Sequence, residues 1–69
     1  MHGPPLTLDE SAALVARQVA DLRDLGASLD RAARVVAERH HVSLPTVTRL
    51  LLRDQRVKQR RQQRDAAAA

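Results

Sequence analysis

The run Val36-Ala37-Glu38-Arg39-His40-His41-Val42-Ser43-Leu44-Pro45-Thr46-Val47-Thr48-Arg49-Leu50-Leu51 decides how the rest of this chain is read. Ahead of it and into it, Leu29, Ala32, Ala33, Val36, Ala37 and His40 recur at the spacing of a helix with one buried face. Beyond it, Val47, Leu50 and Leu51 form a second inward-facing set. His41-Val42-Ser43 breaks the pattern between them. Ser43 is a good N-cap for the second helix, and Pro45 is tolerated because first-turn amides have no helical partner. Ala37 is small enough for another helix to cross close beside it, and Val42 is placed to plug the angle. These spacings suit two helices crossing at about 90–120° through a short turn.

Working outward, Thr7-Leu8-Asp9-Glu10 reads as a capping box, with the Thr7 hydroxyl and the Glu10 carboxylate each accepting the other residue's amide. Leu8, Ala12, Val15, Val19 and Leu22 then make one apolar stripe, which Gly26 ends as a C′ residue. Ser28 caps the next helix, and Asp30 in its first turn suits the positive end of the dipole. The expectation is an all-α, three-helix domain over residues 7–60, with helices at 8–25, 29–40 and 44–60. Residues 1–6 read as an irregular lead-in and 61–69 as a frayed basic and alanine tail. A weaker stripe of Leu14, Leu25 and Val35 either widens the core or forms a dimer surface.

Composition narrows the function. The chain has 69 residues and contains no Cys, Phe, Tyr or Trp. A single small domain of this size buries only about 60% of its unfolded surface, so a monomer is marginal and a homodimer would relieve it. Without aromatic platforms, OB-fold or RRM-type single-strand recognition is disfavoured. Without Cys or a helix-spaced His and carboxylate set, a pocket enzyme has no chemistry to use, and no cofactor or metal is expected. His40 and His41 are adjacent and point about 100° apart on a helix, so they cannot chelate one ion together. Arg17 and Asp21 read as a surface (i, i+4) pair. No apolar run reaches membrane-spanning length, and the start Met1-His2-Gly3-Pro4-Pro5 lacks a basic n-region. The expectation is a cytoplasmic, nucleoid-associated protein of a bacterium or a phage-infected cell, without membrane contact.

Charge is placed unevenly within a net +4. Residues 49–64 carry Arg49, Arg53, Arg56, Lys58, Arg60, Arg61 and Arg64 against the single acid Asp54. Residues 1–48 are close to neutral. With Leu44 at zero and about 100° per residue, Arg49, Arg53, Arg56 and Arg60 fall near 140°, 180°, 120° and 160°, while Val47, Leu50, Leu51 and Val57 take much of the other side. A helix with an apolar flank and a line of arginines suits docking on a core while facing a polyanion.

The sequence Val36-Ala37-Glu38, then Val42-Ser43, then Thr46-Val47-Thr48-Arg49 resembles the helix-turn-helix of lactose-repressor-type regulators, and similar runs occur in small bacterial and phage regulators. The resemblance covers about 20 of the 69 residues. It implies that Leu44, Pro45 and Arg49 face base edges of double-stranded DNA and that Ser43 and Thr46 touch phosphates. The leading expectation is a small transcriptional regulator that works as a homodimer; no small-molecule effector domain is expected, and the resemblance says nothing of one. The family's turn glycine is His41 here, at a position that calls for a positive φ. Leu44 and Pro45 offer only apolar contact, to a thymine methyl for example, so direct readout leans on Arg49. A long helix precedes the motif rather than following it. Three other readings stay open: a helical module docking its basic helix on an acidic protein, with Leu14, Leu25 and Val35 as interface; a recombination or replication accessory factor; and an RNA binder using the Arg-rich tail.

Overall fold

A hydroxyl stands at the start of each helix and replaces the backbone partners that a first turn lacks. In the computed structural model, which describes residues 5–68, these helices are α1 (Leu8–Asp24), α2 (Leu29–Arg39) and α3 (Leu44–Ala68). The Glu10 amide donates to Thr7 Oγ1 and the Thr7 amide to Glu10 Oε1, both at 3.1 Å, closing the expected capping box. The Arg31 amide donates to Ser28 Oγ at 3.2 Å, and the Thr46 amide to Ser43 Oγ at 3.3 Å. No helix among the described residues is long and apolar enough to cross a membrane.

The two connections share one plan. At the end of α1 the Gly26 amide donates to the Arg23 carbonyl (2.9 Å) and the Ala27 amide to the Leu22 carbonyl (3.1 Å). At the end of α2 the His41 amide donates to the Glu38 carbonyl (3.2 Å) and the Val42 amide to the Ala37 carbonyl (3.0 Å). Both are Schellman motifs, whose pivot residue takes a positive φ. Gly26 has φ 103° and His41 has φ 56°. In both, an apolar residue and then the capping serine follow the pivot: Gly26-Ala27-Ser28 and His41-Val42-Ser43. His41 thus occupies the left-handed position expected of it.

The interior is built from small side chains. Ala12, Val15, Val19, Ala32, Ala33, Val36, Ala37 and Val47 are buried, and Val36 and Val47 are the largest side chains fully enclosed. Leu22, Ala27, Leu44, Leu50 and Leu51 are half-buried around this cluster. α1 packs on both other helices, most extensively on α3. Beyond Val57 every residue of α3 through Ala67 is exposed, so its last three turns project from the core.

Several expectations need correction. Leu8 and Leu29 belong to the apolar stripes yet are 55% and 50% exposed, because the Ala and Val interior closes before reaching them. The second stripe does not widen the core: Leu14, Leu25 and Val35 are 38%, 84% and 37% exposed. Val42 is 36% exposed rather than a buried plug, since Val36 and Val47 already fill the angle. Arg17 and Asp21 form no ion pair; the described pairs are Arg34–Asp30, Arg53–Asp9 and Lys58–Asp54. An Arg preceding an acid by four residues is the weaker orientation. α3 continues through residue 68 instead of fraying near 60, in line with the high helix propensity of its Gln, Arg and Ala residues. The irregular lead-in is non-helical and exposed at Pro5 and Leu6, while residues 1–4, like Ala69, lie outside the described residues. The chain exposes 5768 Å² for its 7.6 kDa. A compact monomer of that mass exposes about 4300 Å².

Two outcomes follow from the caps and turns. His41→Gly should stabilise the fold by about 1 kcal/mol in thermal or urea unfolding, because glycine adopts a positive φ without steric cost. An unchanged or lowered midpoint would show that His41 is not strained. The Glu10 carboxyl is held below its ordinary pKa, first by the Thr7 amide and then by the Thr7 hydroxyl. A lowered folded-state pKa contributes stability above the ordinary Glu value and loses it as pH falls through the lowered one. The Thr7 amide resonance should therefore move in that acid window in the native protein and stay still in Glu10→Gln.

Candidate nucleic-acid interface

The residues that face away from the core on α3 follow from which face is buried. Val47, Leu50 and Leu51 turn toward the core, Val57 is half-buried on the same side of the helix, and Asp54 lies among them, only 6% exposed. An aspartate buried at a helix seam needs a partner. Lys58 Nζ supplies it one turn on, 2.9 Å from Asp54 Oδ2. The acid that interrupts the basic run in sequence therefore faces the helix seam.

The opposite side carries the arginines. Thr46, Arg49, Arg53 and Arg56 line one hollow together with Leu8 from α1 and Leu50. Arg49, Arg56 and Arg60 are exposed and have no ion-pair partner among the described residues. Pro45 is exposed at the start of the same helix. Arg53 differs from its neighbours: its Nε donates to Asp9 Oδ1 at 2.6 Å, which joins the middle of the arginine line to the first turn of α1. Both side chains remain about half-exposed, at 46% and 56%. Such a pair adds roughly 0.2–1 kcal/mol to stability.

At the N-terminus of α3 the Ser43 and Thr46 hydroxyls share a hydrogen bond of 2.8 Å. Together with the first-turn amides they form the positive end of a helix of 25 residues. Leu44 does not join this set. It is half-buried on the core and lines a separate hollow with Leu29, Ala33 and Leu51. Position 44 projects beside Val47 and Leu51 and not beside Arg49.

Some participants were not legible as such. Asp9 carries no role in the sequence reading, and nothing periodic links it to a residue 44 positions away. Arg61 and Arg64, assigned to a frayed tail, lie on continuous helix and are exposed. His40 sits half-buried at the end of α2, as its face predicts, and its Nε2–H donates to Gln18 Oε1 on α1 at 2.7 Å, since an amide oxygen only accepts. The turn is thereby tied to α1 as well as to α3.

Compared with protein-family models, with curated proteins and with solved structures, the chain matches none.

The cap makes a graded prediction. Ser43→Ala should lower unfolding stability by about 1 kcal/mol, and Ser43→Gly by only a few tenths, as measured by urea titration. Equal losses in the two variants would mean that the Ser43 hydroxyl does not cap α3.

Proposed function

We propose that this protein is a sequence-specific binder of double-stranded DNA, a small transcriptional regulator that reads the major groove with α3. The observation that carries the reading is the arrangement around residues 36–60: a tight turn pivoting on His41 at φ 56°, a helix seated on the core by Val47, and Pro45, Arg49, Arg56 and Arg60 exposed on that helix's outer side. The short connection and the small buried Ala37 support this reading, since a helix-turn-helix joins its two helices through a short turn and needs close approach there.

Helix length supports a division of labour. Arg49 and Arg60 are 11 residues apart, about 16 Å along the helix axis, whereas the major groove is about 12 Å wide. Arg49 near the helix start reaches base edges, with guanine O6 and N7 as its natural partners. Arg60, and Arg64 beyond it, meet the phosphates bordering the groove. Ser43 and Thr46 hold a phosphate at the helix N-terminus. The exposed leucines and the excess surface favour a homodimer on two half-sites about one helical turn apart.

The test is selection from a random duplex pool, followed by affinity measurements at two salt concentrations. A recovered motif is the expected result; failure to bind any duplex at low salt would sink the proposal and favour an acidic protein partner. Arg49→Ala should cost about 1–3 kcal/mol on the selected site and relax one base position. Arg60→Ala should weaken all sequences alike and reduce the slope of log K against log salt by about 0.9.

A further inference from the structure

The Arg53–Asp9 pair stands out in the arginine line because it offsets the charge of Arg53 while occupying only its Nε–H donor. Asp9 Oδ1 takes the Nε–H of Arg53 at 2.6 Å. The two terminal Nη groups make no hydrogen bond among the described residues, and the side chain is 46% exposed. A guanidinium presents its donors in a rigid planar fork, so holding it at Nε limits the directions that the Nη edge can take. Arg49, Arg56 and Arg60 have no such tether. Their long side chains adapt to whatever anion is near, and ordering them costs rotamer entropy on binding.

We infer that Asp9 is a positioning residue that makes Arg53 a reader of a base edge and not a phosphate anchor. This rests on the DNA-binding reading above and adds a specificity determinant to it. The electrostatics select the ligand. With a carboxylate at hydrogen-bond distance, Arg53 and Asp9 together are close to neutral, and a phosphate approaching Arg53 also meets the negative charge of Asp9. A neutral acceptor pair meets far less repulsion. Guanine O6 and N7 are such a pair, and they match the Nη fork in bidentate geometry. The hollow fits this assignment: Leu8 and Leu50 give it apolar lining, and Thr46, Arg49 and Arg56 line it beside Arg53. Asp9 therefore acts on both sides of discrimination. It preorganises a specific contact, and it withholds one positive charge from non-specific backbone binding.

The pair is tested with the full chain on two duplexes of equal length, the selected site and an unrelated sequence. Asp9→Asn abolishes the charge; the Thr7–Glu10 capping box does not involve the Asp9 side chain, and circular dichroism reports whether the helices persist. Asp21→Asn makes the same change in net charge 12 residues further along α1, on an exposed aspartate in no described ion pair. The expected result is opposite movement on the two duplexes. Asp9→Asn should bind the selected site about tenfold more weakly, the scale of one good bidentate base contact. It should bind the unrelated duplex more tightly, with a salt slope steeper by about 0.9 as Arg53 turns to a phosphate. Arg53→Lys keeps the charge and loses the fork. It should show the same loss on the selected site alone, and selection repeated with it should lose guanine preference at one position. Equal tightening on both duplexes, as in Asp21→Asn, would make Asp9 a mere charge and overturn the inference. So would no change, or a wild-type protein that binds duplex DNA without preference. Absence of wild-type binding to any duplex overturns the functional reading itself.

Discussion

The structure depends on how closely three helices can approach one another across an interior of alanine and valine. Val36 and Val47 are the largest side chains wholly enclosed, and Ala12, Ala32, Ala33 and Ala37 complete most of the remainder. Small side chains let helix axes come close, and close packing gains dispersion contacts over a short range. The consequence is that there is little interior volume. Leucines that share the apolar stripes find it already filled and end at its edge, as Leu8 and Leu29 do. A core of this kind holds a shape but leaves large apolar side chains in water, which is the condition that association with a second copy would relieve.

α3 is asked to do two things, and its sequence separates them by angle and by length. Its first half packs by one side through Val47, Leu50 and Leu51 and presents arginines on the other. Beyond Val57 it is exposed through Ala67. The two acids that touch α3 have opposite roles in this arrangement. Asp54 lies in the seam and is satisfied from its own helix by Lys58. Asp9 reaches across from α1 to one arginine of the exposed line. Seven cations in the run are thus not equivalent: two are paired, and Arg49, Arg56, Arg60, Arg61 and Arg64 are left to set the field.

The same turn is built twice with different pivots. Gly26 meets the positive φ with no Cβ to strain, and an added Cβ there would meet nothing within 4 Å, so only the backbone conformation calls for glycine. His41 meets the same requirement at a steric cost. The turn that carries histidine is also the one that sets the angle of α3. It is held by two Schellman hydrogen bonds, by the His40–Gln18 bond to α1 and by the Ser43 cap, so local strain is outweighed by several restraints.

By itself the sequence determined what local physics decides. Apolar periodicity, the Thr7, Ser28 and Ser43 caps and the two pivots specify three helices and where each starts, since these signals act within four or five residues. The arc shared by Arg49, Arg56 and Arg60 is likewise a property of one helix. The tertiary structure alone decided which apolar residues reach the interior, because a stripe states a direction and not the volume waiting there; Leu44 packs and Leu8 does not for that reason. It also decided which charges are spent. The Asp9–Arg53 contact spans 44 residues and depends on α1 lying against α3, a distance at which helical periodicity carries no information.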